Sequence, residues 1–286
     1  MKQQDNLHWE EIAREAAVIG GQVLLDYFGR VSFKSIIAKH PGDWVSEADK
    51  GSEKAILEYL ADVAPSHKIL TEEAGVINNE SGSEFRWIID PLDGTTNYLR
   101  GFPIWAVSVA LEYKENPQDK WGNIIAGAVY VPLLSEVFVA SRGNGAKRNN
   151  VLISPERNDR PFKDCLLATG FPFRTRKAIG PYNSLFGEVL GNCADVRRPG
   201  AVAVDFCYTA TNIFDAFWEL DLAPWDIAAG ALIMEESGVV VSDFQGSNDY
   251  LTTGDIVAGT DNIHKGLLEL VIKHFPTKRD VDKSVK

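Results

Sequence analysis

Sulfur and imidazole are scarce in this sequence of 286 residues, which contains three cysteines and five histidines. Cys165, Cys193 and Cys207 are odd in number, widely spaced and mostly flanked by apolar residues, so we expect reduced packing residues rather than a disulfide framework. The histidines never pair at the spacing of metal ligands. These shortages argue against a zinc site and against a histidine-based nucleophilic triad.

Long apolar runs are also missing, since no stretch reaches the 18 residues expected of a membrane-spanning helix. The first residues, MKQQDNLHWEEIAREAAVIGG, form an acidic, helix-like pattern where a signal peptide would show a basic end and an apolar block. We therefore expect a cytoplasmic protein without a membrane partner. A formal charge of −11 disfavours nonspecific binding to nucleic acid, because most of the surface would repel a polyanion. It does not exclude a small anionic substrate, because local cations or a bound divalent metal can reverse the field within a site.

The periodicity of the apolar residues predicts helices and strands in mixed order, which is typical of an α+β fold. Apolar residues recur at helical spacing over 7–28, and a second helix begins at 46–49. Further predicted helices cover 182–190, 202–213, 225–237 and 263–274. Strand-like runs cover 33–38, 67–70, 85–89, 105–113, 123–131, 135–140, 165–169, 195–197, 214–219, 239–241 and 256–258. The pattern restarts after a polar stretch at 154–161. We predict an N-terminal lobe over 1–155 and a C-terminal lobe over 156–286.

Two carboxylates follow the predicted strand at 85–89, in the stretch RWIIDPLDGTTN at 86–97. Aspartate, proline and glycine all form turns, so a turn without chemistry is one interpretation. Asp90 and Asp93 can also converge on one point, with the Leu92 carbonyl between them. Oxygen ligands of this kind suit Mg²⁺. Gly94 and Thr95 would then open a short helix whose free N–H groups attract an anion.

Further acids stand at comparable junctions, namely Glu72 and Glu73 after a short strand, Asp49 near a helix start, and Asp226 in WDIAAG at 225–230. Asp49 or Asp226 alone is ordinarily a helix cap. The set as a whole indicates a metal site.

The set resembles the inositol monophosphatase family of magnesium-dependent, lithium-sensitive phosphatases, and its bacterial members in particular. DPLDGTTN at 90–97 is similar to the family's first signature, and WDIAAG at 225–230 is similar to its second. Weaker similarities lie at 45–50, 72–73, 102–111 and 143–149, so the resemblance covers about residues 8–275. It implies a layered αβαβα sandwich of the inositol monophosphatase and fructose-1,6-bisphosphatase type, usually assembled as a homodimer.

The resemblance also implies roles for individual residues. Glu72, Asp90 and the Leu92 carbonyl would hold one Mg²⁺, and Asp90, Asp93 and Asp226 a second, while Asp49 would assist an outer metal through water. Thr95 and Glu72 would orient and deprotonate the attacking water. The amides of Gly94 and Thr95 would bind phosphate, and Ala201 and Glu219 would contact the alcohol. The residues alone permit either Glu72 or Glu73 as the ligand.

The implied reaction is hydrolysis of a small phosphorylated polyol or sugar, with inositol 1-phosphate as the first substrate candidate. Fructose-1,6-bisphosphatases, histidinol-phosphate phosphatases and bisphosphate nucleotidases share the metal signatures and remain alternatives. A noncatalytic, partner-binding protein is a further alternative. Near the alcohol, Asp205 is either a substrate contact or a helix-start residue, and Arg174 either contacts a second anionic group or is simply exposed.

Overall fold

The computed structural model describes residues 3–30, 37–40, 43–77, 82–116, 119–154 and 160–277. In the first half, α1 (Gln3–Tyr27) precedes a small hairpin of β1 (Ile37–His40) and β2 (Asp43–Val45). Helix α2 (Glu47–Val63) follows. The remaining elements up to residue 152 are β3 (Lys68–Thr71), β4 (Gly75–Ile77), β5 (Phe85–Asp93), α3 (Thr95–Leu99), β6 (Ala106–Tyr113), β7 (Asn123–Val131), β8 (Glu136–Ser141), β9 (Ala146–Arg148) and β10 (Val151–Leu152).

The second half alternates strands and helices around a smaller sheet. Its elements are β11 (Leu166–Thr169), α4 (Ile179–Leu190), β12 (Asp195–Arg197), α5 (Val202–Ala210), β13 (Ala216–Glu219), α6 (Pro224–Glu236), β14 (Val240–Ser242), α7 (Tyr250–Thr253), β15 (Ile256–Gly259) and α8 (Asp261–His274). Most predicted elements are present with shifted ends; for example, α5 ends at residue 210 rather than 213. Most of the strand predicted at 33–38 lies outside the described residues.

Two sheets organise the molecule. The larger has eight strands in the order β10-β9-β8-β7-β6-β5-β3-β4, and only β3 and β5 pair in parallel. The smaller has five strands in the order β12-β11-β13-β15-β14, with β11 parallel to both of its neighbours. The strands of the larger sheet therefore come from residues 68–152, and those of the smaller from 166–259.

Strand β5 shows how the layers stack. Successive side chains of a strand point to opposite faces of its sheet. Trp87 and Ile89 accordingly pack in a core with α1 and α2, whereas Ile88 packs in a second core with α5 and α6. Both faces of the strand are thus covered, which explains why it is a continuous apolar run rather than an alternating one.

The smaller sheet repeats this arrangement. Phe217 faces the core that contains α5 and α6, and its neighbour Trp218 faces a third core that also contains residues of α4 and α8. The layer order is helices, sheet, helices, sheet, helices, which confirms the predicted αβαβα sandwich. Residues 155–159 are not described, and α5 and α6 share one core with both sheets. The division into two lobes near 155 therefore stays a prediction.

Cys165 and Cys207 are buried thiols. In the described part of the chain, no helix combines the length and the apolar character needed to cross a membrane.

Candidate metal and phosphate site

The end of β5 places two carboxylates at the edge of the larger sheet. Asp90 and Asp93 are 2% and 8% exposed, so both are largely removed from water. The register between β5 and β6 shifts between them, at the position of Pro91, which has no N–H to donate to the neighbouring strand. The Leu92 N–H donates to Oδ1 of Asp90 over 3.0 Å, and the Ala203 N–H donates to Oδ2 of Asp93 over 2.7 Å. Each carboxylate is thus oriented by a backbone amide.

Gly94 makes the turn that follows. Its φ of 84° is left-handed, a conformation that glycine adopts without steric cost. A Cβ at this position would also lie 3.0 Å from the Ala201 Cβ and 3.1 Å from the Ile104 carbonyl oxygen. The glycine therefore permits both the turn and the close approach of α5, and α3 begins directly after it at Thr95.

Asp49 acts as a cap and also contacts the site. In the first turn of α2, its Oδ2 atom accepts from the Ser46 N–H over 2.9 Å, which is the ordinary capping role. Its Oδ1 atom accepts from the Thr95 hydroxyl over 3.3 Å, and that hydroxyl also donates to the Leu92 carbonyl over 3.1 Å. Burial raises the pKa of Asp49 to about 6, although its hydrogen bonds with Ser46 oppose the shift. Asp49 thus reaches the site through Thr95.

Asp226 combines the same two functions on α6. Its Oδ2 atom accepts from the Ala223 N–H over 2.8 Å, so it caps the helix. The side chain also lies at the cavity described below, with Arg174 Nη1 at 3.9 Å from its Oδ2 atom. Capping and a functional role, which the sequence presented as alternatives, are therefore compatible for both aspartates.

A cavity of about 360 Å³ brings the predicted residues together. Nine of the ten line it, namely Glu72, Asp90, Leu92, Asp93, Gly94, Thr95, Ala201, Glu219 and Asp226. Asp49, the tenth, is outside the lining and contacts Thr95. Of the adjacent pair after β3, Glu72 is in the lining and Glu73 is not. This position favours Glu72 as the ligand, although the role of each residue stays a prediction.

Burial, and after it mutual repulsion, raises the pKa values of the acids. Burial raises the pKa of Asp90 well above its ordinary value, and the charges of Glu72, Asp93 and Asp226 raise it further. Burial likewise raises the pKa of Asp93 to about 7, with Asp226 as the next cause. A group of acids that oppose one another's ionisation requires positive charge nearby to be fully ionised at neutral pH.

The donor set fits Mg²⁺ chemically, because it consists of carboxylates and a backbone carbonyl with no sulfur or imidazole. Within the described ranges, no three His, Cys, Asp or Glu side chains are already assembled as a metal cage. Glu72, Asp90, Leu92, Asp93 and Asp226 are the residues that would hold the metal.

Glu219 lies at the alcohol side predicted for the cavity. It ends β13, is 8% exposed, and has a pKa raised to about 8, chiefly by burial, while Arg198 opposes the shift. Gly170 makes room for it, because a Cβ there would lie 1.8 Å from Glu219 Oε1. The position of Glu219 therefore depends on the absence of a side chain at residue 170, which lies 49 residues earlier in the sequence.

Arg198, Gly170 and Phe171 also line the cavity and were not predicted as site residues. The Arg198 guanidinium lies 5.3 Å from the centre of the Phe171 ring. The adjacent cations at 197 and 198 offered a sequence signal for Arg198, but Gly170 is explained only by its contact with Glu219. Arg174, whose role the sequence left open, lines the cavity as well.

Comparisons with known proteins agree with this geometry. Residues 5–279 match the Inositol monophosphatase family. The chain is 39% identical over 270 residues to Nus factor SuhB of Pseudomonas aeruginosa, covering 93% of this chain and 96% of that protein. It is 40% identical over 265 residues to a fructose-1,6-bisphosphatase/inositol-1-monophosphatase of Aquifex aeolicus, with the same coverage. The crystal structure of extragenic suppressor protein suhB from Bartonella henselae is similar at a TM-score of 0.84 and 36% identity, covering 92% of this chain and 98% of that one. The chain belongs to the inositol monophosphatase family.

Proposed function

We propose that the protein is a Mg²⁺-dependent phosphate monoester hydrolase that acts on a small phosphorylated polyol, with inositol 1-phosphate as the leading candidate. The observation that supports this most strongly is the convergence of four acids, Glu72, Asp90, Asp93 and Asp226, on one cavity beside the turn at Gly94. An anionic ester would be repelled by these acids alone. With a divalent cation, the same acids become a site for phosphate.

Bound Mg²⁺ would neutralise the phosphate, lower the pKa of water and stabilise the departing alkoxide. Asp90, Asp93 and Asp226 would hold it, and their backbone hydrogen bonds keep the carboxylates oriented. The amides of Gly94 and Thr95 would face the phosphate oxygens. The carboxylates would thus supply the negative charge that holds the metal, and the backbone amides would fix the positions of the carboxylates and of the phosphate.

Thr95 and Glu72 would orient the attacking water and take its proton. The single hydroxyl hydrogen of Thr95 is directed towards Asp49 and the Leu92 carbonyl, so the oxygen lone pairs are left to accept from a water. Glu72 lies in the same cavity and would take the proton. Asp49 would then position Thr95, in addition to any water-mediated contact with an outer metal.

A sugar bisphosphate such as fructose 1,6-bisphosphate is the second candidate substrate. Arg174 and Arg198 both line the cavity and offer two guanidinium groups for a second phosphate. The Aquifex relative carries both activities in its name. The name Nus factor, in contrast, specifies no substrate, so a noncatalytic partner-binding role is the remaining alternative.

A panel of phosphate esters tests the proposal. Purified protein would be incubated with inositol 1-phosphate, fructose 1,6-bisphosphate, histidinol phosphate or a bisphosphate nucleotide, with Mg²⁺ or with EDTA, and released phosphate measured. We expect Mg²⁺-dependent release that is fastest from inositol 1-phosphate. Faster release from another ester would reassign the substrate, and no release from any ester would favour the noncatalytic role.

Further expected properties follow from the family resemblance. They are inhibition by Li⁺ and a homodimeric assembly, whereas the expected cytoplasmic location rests on the lack of long apolar runs in the sequence. The absence of a nucleic-acid partner rests on the net charge alone.

A further inference from the structure

Asp205 is a buried carboxylate whose hydrogen bonding is incomplete. It lies in the first turn of α5 and belongs to the lining of the cavity, yet its side chain is only 1% exposed. Its Oδ1 atom has no hydrogen-bond partner among the described residues. A buried acceptor without a donor is unfavourable, so such an atom beside a cavity indicates a donor that comes from a ligand.

Helix capping does not account for Asp205. An aspartate in a first turn ordinarily accepts from the amides at the helix start. Here the Ala203 amide donates to Asp93, and the amide of Asp205 itself donates to the Ala201 carbonyl. The amides of Ala203 and Asp205 are thus occupied by other acceptors, and Oδ1 of Asp205 accepts from neither.

The surroundings of Asp205 are polar and mostly acidic. Burial raises the pKa of Asp205 well above its ordinary value, the charges of Glu219 and Asp93 raise it further, and the charge of Arg198 lowers it. Asp205, Glu219 and Arg198 all belong to the lining of the same cavity. The wall therefore presents two carboxylates beside one guanidinium.

The chemistry of these groups restricts the alcohol that fits. A carboxylate accepts hydrogen bonds, and a carboxyl group kept protonated by a raised pKa also donates one, so this wall fits ligand groups that both donate and accept. The hydroxyl groups of a polyol or sugar do both. An alkyl or aryl alcohol would leave Oδ1 of Asp205 unpaired. Sites built to hydrogen-bond a hydroxyl discriminate strongly against analogues that lack it.

We propose that Asp205 is a specificity-determining residue that, together with Glu219, accepts hydrogen bonds from hydroxyl groups of the substrate alcohol. The inference rests on the proposed phosphatase function and extends it, because it assigns Asp205 to the recognition of the hydroxyl groups of the polyol. Rotation about the last side-chain torsion of Asp205 exchanges its two oxygens at low cost and brings either one to the ligand.

Two esters that share a six-membered ring test this inference. Inositol 1-phosphate carries ring hydroxyls, and cyclohexyl phosphate has none. The ratio of kcat/KM for the two esters would be measured for the wild type and for Asp205→Ala, Asp205→Asn and Thr209→Val. Thr209 is the matched control, because it lies one turn further along α5, is buried, and donates its hydroxyl to the Asp205 carbonyl without lining the cavity.

We expect Asp205→Ala to lower the ratio by about 10- to 100-fold, the worth of a hydrogen bond to a charged group. Asp205→Asn should lower it by about 3- to 10-fold, since its single amide oxygen still accepts. Thr209→Val should leave the ratio unchanged. If Asp205→Ala does not fold, as judged by its thermal melting, Asp205→Asn carries the test alone.

An unchanged ratio in the folded Asp205 variants would overturn the inference, as would equal losses on both esters, which would show a purely structural role. In either case, wild-type turnover would leave the phosphatase proposal intact. Wild-type protein that hydrolyses neither of these esters, nor any ester of the panel under Proposed function, would overturn both proposals together.

Discussion

The Ala203 N–H donates a 2.7 Å hydrogen bond to Oδ2 of Asp93, joining the end of β5 to the first turn of α5 across 110 residues of sequence. This bond connects the acids of the larger sheet with the wall that carries Ala201 and Asp205. One carboxylate thus serves both the proposed metal site and the alcohol side of the cavity.

Replacing Asp93 separates these two functions. In Asp93→Asn, the amide oxygen can still accept from Ala203, but the negative charge is lost. We therefore expect kcat with Mg²⁺ to fall at least about 100-fold, while thermal melting in EDTA is unchanged or higher because a repelling buried charge is gone. Asp62→Asn, at an exposed position of α2, is the control and should match the wild type. Retained turnover in Asp93→Asn would remove Asp93 from the metal site.

The adjacent acids after β3 give a matched pair of variants. Glu72 lines the cavity and Glu73 does not, although the sequence allowed either as the ligand. We expect Glu72→Gln to lower kcat at least about 100-fold, because it removes both a metal ligand and the proposed base. Glu73→Gln should stay within about twofold of the wild type. The reverse order of losses would exchange the two assignments.

How much could be predicted depended on whether the relevant contacts are local. The DPLDG turn is local, so residue types within eight positions were enough to suggest converging oxygen ligands, and the more distant acids Glu72 and Asp226 completed the indication of a metal site. Gly170 was not predicted because its importance depends on a contact with Glu219, which is distant in the sequence. The contact between Arg198 and Phe171 is also non-local, since it spans 27 residues. Short elements such as β9, β10 and α7 carry too few residues for a periodic signal. Strand order depends on contacts between distant segments, which periodicity does not report.

Mg²⁺ should stabilise the folded protein even where no reaction takes place. A ligand that binds only the folded state at 100 times its dissociation constant adds about 2.7 kcal/mol, which raises Tm by roughly 5 °C in a protein of this size. Differential scanning fluorimetry with increasing Mg²⁺ measures this shift, and EDTA should abolish it. Asp90→Asn, which removes a proposed ligand, should melt at a temperature independent of Mg²⁺. A wild-type Tm that does not change with Mg²⁺ concentration would contradict the metal assignment.

The stability of the metal-free protein should fall as pH rises. The pKa of Asp93 is raised to about 7, first by burial and then by Asp226, whereas an unfolded aspartate titrates near its ordinary value. Between these values the folded state binds more protons than the unfolded state, so the free energy of unfolding decreases with increasing pH. The stabilisation is complete below about pH 4 and is lost as pH passes through about 7.

Urea unfolding in EDTA at several pH values measures this effect. Between about pH 5 and about pH 8, we expect the wild type to lose on the order of 2–4 kcal/mol more than Asp93→Asn does. Burial also lowers the pKa values of His67 and His264, but these histidines are present in both proteins. Their contribution to the pH dependence of stability therefore cancels in the comparison. Parallel curves for the two proteins would show that Asp93 is already ionised in the metal-free fold.

The space above Gly170 provides a test of Glu219 that leaves the acids of the metal site untouched. A Cβ at residue 170 would lie 1.8 Å from Oε1 and 1.9 Å from Cδ of Glu219, so Gly170→Ala must displace that side chain. Because the obstructed atoms are the end of a flexible side chain, the fold can adjust, and we expect a folded variant. Its kcat/KM for inositol 1-phosphate should fall about 10-fold, as expected for a lost hydrogen bond to a carboxylate, with a much smaller loss for cyclohexyl phosphate.

Gly187→Ala in α4 is the control for this variant, because a Cβ at residue 187 meets no atom within 4 Å. Helix propensity predicts that this change raises the free energy of unfolding by up to about 1 kcal/mol without a change in kinetics. Wild-type kinetics in a folded Gly170→Ala would mean that the position of Glu219 does not determine which alcohol is bound.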